Sequence, residues 1–262
     1  MVYLRLKSPA LALRLLQNMN RAIKLLFLLF LIFPAVGYCD DDHAADLTPT
    51  CSGAVEWAKS HPTRSFEEMK HADEARKVTD ADLRRQLREH VEADQRARKA
   101  FLAAPNNQFL IRNIVQVDAD NLIWMRRLTR GVRLPSTAQV GETGVYWMWL
   151  LVLHAGLSPD FQLRTLPLFA KSYASGELPA ENLAMLTDWT LLANDKPQQY
   201  GTKFEWQSGE YKLKNPGDPA QMDARRAALG LMPLADYTCF MQEQVRTGSS
   251  TTSYIIQVNN GY

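Results

Sequence analysis

Cysteine is scarce in this chain of 262 residues, which carries three, and no two of them form a Cys-x-x-Cys pair. A zinc ribbon or a thioredoxin-type redox centre therefore lacks its ligands. The sequence has no Gly-x-Ser-x-Gly elbow, no Gly-rich phosphate loop ending in Lys-Ser or Lys-Thr, and no His-Glu-x-x-His. Their absence excludes the nucleophile, nucleotide and zinc-protease signatures those patterns encode, and no cofactor and no metal site is expected. Basic residues do not gather into a stripe: in Asp82 to Glu89 they alternate with acids, which makes a solvated helix face and not a nucleic-acid surface. No internal repeat occurs at solenoid periods.

Acids are missing from residues 1–39, which hold five basic residues, Arg5, Lys7, Arg14, Arg21 and Lys24. The apolar run Leu25 to Phe33 is nine residues, or thirteen with Pro34 to Gly37, short of the ~20 needed to span a bilayer. Basic residues, an apolar stretch and small residues follow one another in the order of a secretory signal peptide, with cleavage fitting after Gly37 or after Cys39. Eighteen residues is a long lead-in, and Met19 makes a conventional start. The alternative is an uncleaved N-terminal anchor. Cys39 follows Tyr38, a bulky neighbour that argues against a lipid anchor there. Removing residues 1–39 leaves 25 Lys+Arg against 28 Asp+Glu, so a chain with a formal charge of +2 becomes one of −3, with no transmembrane segment expected in it.

The expected organisation is a signal peptide over 1–39, a flexible polar leader over 40–50, one helical domain over 51–245 and a polar tail over 246–262, in which Tyr254 to Val258 forms a strand or trails. The fold class is mainly α, a single multi-helix domain with one short β-hairpin in its C-terminal third. Thr79 to Asp82 reads as a helix cap, and the helix to Ala103, poor in apolar residues, is expected to be amphipathic and largely exposed. Further helices are expected over Asn107 to Thr129, Gly144 to Ala155, from Ser158-Pro159 to near Gly176, and from Pro179 to about Asn194. Two more should run from Asp218-Pro219 to Gly230 and after Pro233. Tyr146 to Leu153 is apolar all round and belongs at the core centre. Tyr200 to Lys214 alternates about Ser208-Gly209, a hairpin signal.

Cys51 and Cys239 are an even pair, and in an oxidising compartment they are a disulfide candidate; two buried free thiols are the alternative. Of five histidines, only His154 ends a strongly apolar helix, where it either serves acid/base or ligand chemistry or is a core histidine satisfied by a carboxylate. His90 and Asp94 share a helix face, as do Asp118 and Asn121. Asp188 stands in an apolar helix, where it faces solvent, finds a partner, or has a raised pKa.

Gly141, Leu150 to Ala155, Asp160 to Gln162, Leu186 to Asp188, Gln198 to Thr202 and Arg225 to Leu231 occur in an order that resembles an uncharacterised bacterial family of domains of unknown function. Its motifs look like His-Ala-Asp, Phe-Gln, Leu-Thr-Asp-Arg and Gln-x-Tyr-Gly-Thr-Gln. Weaker likeness extends upstream through Asp94-Gln95, Asp118, Asn121 and Gly131 to Pro135, so it covers about residues 80–237. The chain departs at Gly156 for Asp, Trp189 for Arg and Lys203 for Gln. The resemblance implies a helical fold and a candidate site but brings no reaction. Together these readings predict a polar pocket of His154, Asp188, Gln198, Tyr200, Gly201 and Thr202, with Asp118 and Asn121 on a neighbouring helix. The expected function is an exported domain binding a polar small molecule or an envelope protein. Two alternatives stand beside it: an envelope hydrolase or transferase with His154 as base and Asp188 orienting it, and a structural protein whose polar cluster is buried and satisfied.

Overall fold

The computed structural model describes residues 51–208 and 210–247. The expected signal peptide and leader, Met19, Cys39 and the pentad Tyr254 to Val258 lie outside the described residues. Among the described residues nine helices and one antiparallel hairpin follow in order: α1 Ser52–Ser60, α2 Phe66–Glu74, α3 Ala81–Ala103, α4 Gln108–Leu128, α5 Thr137–Leu153, α6 Pro159–Ala174, α7 Ala180–Ala193, β1 Phe204–Gln207, β2 Glu210–Leu213, α8 Pro219–Ala228 and α9 Leu234–Thr247. No helix among the described residues is long and apolar enough to cross a membrane.

Helix starts are fixed by local chemistry. Asp80 caps α3 by accepting from the Leu83 amide, Asn107 caps α4 through Phe109, and Asp218 caps α8 through Gln221 ahead of a first-turn proline. Ser65 and Glu68 form a reciprocal capping box on α2. α1 and α2, nine residues each, were not among the expected helices, although Ser65-Phe-Glu-Glu68 carries the capping-box pattern that starts α2.

α5 is the axis of the core. All residues from Thr143 to Leu153 are buried, as a helix apolar on every side requires. α2, α3, α4, α6 and α7 pack around it, contributing Phe66, Leu87, Val91, Met125, Phe161, Phe169 and Leu186. α5 begins earlier than Gly144: one turn precedes Gly141, whose φ of 82° kinks the helix. A Cβ there would lie 2.5 Å from Asp73 Oδ2, so only glycine admits both the angle and the close approach. Past the kink, the freed amides of Glu142 and Thr143 each donate to the Asp73 carboxylate at 2.9 Å, and Thr143 Oγ1 adds a third bond at 2.6 Å. Burial works against ionised Asp73, but these bonds and Arg84 outweigh it and hold its pKa below the ordinary value.

The expectation that α3 is largely exposed is corrected: Leu87 and Val91 are fully buried, and Asp94, Gln95, Ala97 and Phe101 are buried with them. Its inward stripe reads as hydrophilic because polar residues stand in the middle of it.

The hairpin pairs Phe204 with Leu213 and Trp206 with Tyr211, and it leans on α9, where Gln242 Nε2 donates to the Tyr211 carbonyl at 3.0 Å. α9 also carries α1, to which it is joined by the Cys51–Cys239 disulfide, with the two Cα atoms 5.7 Å apart. The candidate pair is thus bonded, and the free-thiol alternative falls away. Gly53 lets α1 lie flush on α9, since a Cβ there would meet the Asp236 carboxylate at 2.1 Å.

Candidate functional site

The predicted polar residues separate into two clusters with different chemistry. The first is a seam between α3 and α4 at the C-terminal end of α5. Asp94 and Arg98 project from the same face of α3, Asp118 and Asn121 from one face of α4, and His154 caps α5. Arg98 is the hub. Its Nη2 donates to Asp94 Oδ1 at 3.1 Å and to Asp118 Oδ1 at 2.6 Å, and its Nε lies 3.0 Å from His154 Nδ1. Asp94 accepts also from Gln95 Nε2 at 2.7 Å, and its Oδ2 lies 2.9 Å from His154 Nδ1.

His154 Nδ1 therefore faces both a carboxylate and a guanidinium, and one nitrogen cannot serve both. Protonated, it donates to Asp94; unprotonated, it accepts from Arg98 Nε–H. Burial first, then the Arg98 charge, lower the His154 pKa against the pull of Asp94, which favours the neutral ring. Burial opposes ionisation of Asp94, yet His154 and Arg98 beside it hold its carboxyl well below the usual range. Asp118 differs: burial dominates, Arg98 is shared, and Asp94 repels, so its carboxyl is pushed up to about 7.

Three groups of this seam keep unused hydrogen-bonding capacity. Asp118 accepts from Arg98 only, and His154 Nε2 has no partner among the described residues. Asn121 Oδ1 pairs with His90 Nδ1 at 2.8 Å, while its buried Nδ2 pairs with nothing. Exchanging the two amide atoms would orphan the oxygen instead, so one polar atom of Asn121 is unmatched in either orientation. His90 is fixed by stacking on Trp124, with ring centroids 4.3 Å apart.

The second cluster centres on Asp188 of α7, which is wholly buried. Its Oδ1 accepts from the amides of Gln199 at 2.7 Å and Tyr200 at 3.0 Å, and its Oδ2 accepts from Thr202 N and Oγ1, both at 2.9 Å. Burial still prevails over these bonds and raises its pKa. Gln198 completes the knot, donating to the Lys203 carbonyl and to the Lys214 carbonyl, and accepting from the Lys203 amide at 2.7 Å. Gly201 supplies the turn with a φ of 70°. These residues tie the α7–β1 loop to the hairpin.

The structure does not bring His154 and Asp188 together: no hydrogen bond or ion pair joins them, and the orienting carboxylate beside His154 is Asp94. The pairing of His154 with Asp188 is corrected on that ground, since Asp188 spends its acceptor capacity on four bonds to the loop. Asp118 does join His154, through Arg98. Arg98 and Asp94 were both absent from the predicted pocket, although Asp94 stood in the weaker upstream likeness; their spacing of four residues was the available signal. Two of the departures from the family motifs touch one another, with Lys203 Nζ 4.3 Å over the Trp189 ring.

Residues 81–247 match the model of a family of unknown function, DUF6624. Neither a curated protein nor a solved structure matches the chain.

Proposed function

The chain belongs to the DUF6624 family of unknown function, and from that premise we propose that it is an exported helical domain that binds a polar ligand in the seam between α3 and α4. The observation that carries this reading is the unused hydrogen-bonding capacity of Asp118, Asn121 and His154 around one guanidinium. Asn121 Nδ2 is the fully buried unmatched atom of the three residues, and the set offers an acceptor, a donor and a lone pair to a molecule bearing hydroxyl or amide groups. Export rests on the basic, apolar and small-residue order of residues 1–39 and is supported by the Cys51–Cys239 bond, since disulfides persist in oxidising compartments.

The test is calorimetric binding of sugars, amino acids and short peptides to the oxidised chain, repeated with Asn121→Ala. A ligand of the seam is expected to bind about tenfold more weakly to the variant, the effect of losing one buried hydrogen bond. The reading fails if no compound of these classes binds, or if those that do bind the variant as tightly.

A second reading, acid/base catalysis by a hydrolase or transferase, is favoured by one observation: a carboxyl at about 7 lies in the same network as a histidine held by a carboxylate. Turnover of ester or glycoside substrates that titrates near pH 7 and vanishes in Asp118→Asn supports this reading. Unchanged turnover in that variant rejects it.

A further inference from the structure

Away from the seam, the disulfide-tied helix α1 roofs a cavity of about 120 Å³. Ala54, Trp57 and Ala58 of α1 form one wall, and Met185, Met232 and Met241 line others. A cavity of this order in an apolar core accepts one aromatic ring, and methionines adapt to several shapes.

The unusual member of the lining is Arg226. It is 3% exposed, and among the described residues no salt bridge joins it to a carboxylate, although Asp188, Asp223 and Glu181 lie near enough to favour its charge. Its Nε donates to the Met232 carbonyl at 2.5 Å and its Nη1 to the Tyr200 carbonyl at 2.6 Å, while the guanidinium carbon sits 4.5 Å over the Tyr237 ring. These contacts hold the group in place without a directly bonded carboxylate, the charges of Asp188, Asp223 and Glu181 acting on it only through space. Buried arginines are ordinarily paired. The cavity thus combines an apolar body with a single fixed cation at its wall.

We infer that this cavity is a binding site for a small apolar carboxylate, a short acyl chain or an aromatic acid, whose carboxylate completes the pairing of Arg226 while its hydrocarbon part lies against α1 and the three methionines. Glu181 also lines the cavity, and an anion is accommodated only with its charge on the Arg226 side. Specificity follows from length and charge together: a polar solute forfeits the apolar wall, and a neutral isostere forfeits the ion pair. The site is separate from the polar seam and does not depend on the reading given for it.

The test uses the oxidised chain with its methionine methyl groups labelled for NMR, titrated with octanoate and benzoate, and with octanol and benzyl alcohol as neutral isosteres. The carboxylates are expected to shift Met185, Met232 and Met241 saturably and to leave the core residues Met125 and Met148 unmoved, with the isosteres binding about tenfold more weakly. Ala58→Trp, at an exposed position on the cavity wall, is expected to weaken the carboxylates by a similar factor without disturbing the fold. Absence of saturable shifts with either carboxylate overturns the proposal. So does equal affinity for the isosteres, which removes Arg226 from recognition, or unchanged binding to Ala58→Trp in a folded protein, which places the probe elsewhere.

Discussion

Replacing Asp118 by asparagine is expected to stabilise the protein above neutral pH, although it removes a charged partner of Arg98. Burial lifts the Asp118 carboxyl from an ordinary 3.8 to about 7, so between those values the folded chain holds a proton that the unfolded chain has released. The stabilisation this carboxyl contributes is complete below the lower value and is lost as pH rises through the upper one. A gap of about three units corresponds to ~4 kcal/mol once ionisation is complete, an upper bound because Arg98 and Asp94 respond to the same charge. Asparagine keeps a carbonyl for Arg98 Nη2 to donate to and has no proton to lose. His154, with a lowered pKa, and Asp94, held ionised, tilt stability with pH in the opposite sense. Both are present in wild type and variant, so the difference between the two profiles isolates Asp118. Urea unfolding of the oxidised proteins from pH 4 to 8 measures it. Near pH 4 the two should be almost equally stable, with the variant gaining ~2–4 kcal/mol by pH 8 and most of that gain appearing before pH 7. Parallel profiles, or a variant less stable at pH 8, would refute the reasoning that burial governs this carboxyl.

Asp188→Ala strands three backbone amides, of which that of Thr202 is buried and those of Gln199 and Tyr200 partly so, and is expected to destabilise the fold by about 3–5 kcal/mol; hydrogen exchange at Gln199, Tyr200 and Thr202 should accelerate well before global unfolding, and unchanged protection there would contradict the four-bond arrangement. Gly141→Ala forces an alanine into a left-handed angle against Asp73 and is expected to cost about 2–3 kcal/mol, read as a lowered Tm. The double variant Cys51→Ser with Cys239→Ser opens a loop with a sequence separation of 188, which the chain-entropy account values at about 5 kcal/mol. A lower Tm and faster exchange in α1 are expected, whereas an unchanged Tm would show that packing against α9 alone holds that helix.

Most element boundaries were legible because they are written in local chemistry. Caps at Asp80, Asn107 and Asp218, the prolines at 159 and 219, and the left-handed glycines at 176 and 230 each act within one turn of their own position. The hairpin was readable from alternation for the same reason. What escaped depends on distant partners. The extra turn of α5 before Gly141 exists because Asp73, nearly seventy residues earlier, receives the amides that the kink releases. The buried face of α3 was misjudged because Asp94, Gln95 and Arg98 look like solvent residues until α4 and α5 close over them.

The two aspartates of the predicted pocket show how far residue type and placement carry. Asp118 and Asp188 both stand on helices among apolar neighbours, both are buried, and both have a carboxyl pKa raised by that burial. They differ in what surrounds the oxygens. Asp188 meets a loop that points three amides and a hydroxyl at it, so its bonding capacity is consumed and its burial builds the fold. Asp118 meets one guanidinium already engaged with Asp94, so its burial is only partly compensated within the chain. A buried carboxyl that remains undersatisfied weakens the protein at neutral pH, whereas an apolar residue of the same size would not carry that penalty. The destabilised member of the pair is therefore the one whose retention calls for a ligand or a proton to transfer, and that distinction depends on neighbours that no spacing along the sequence identifies.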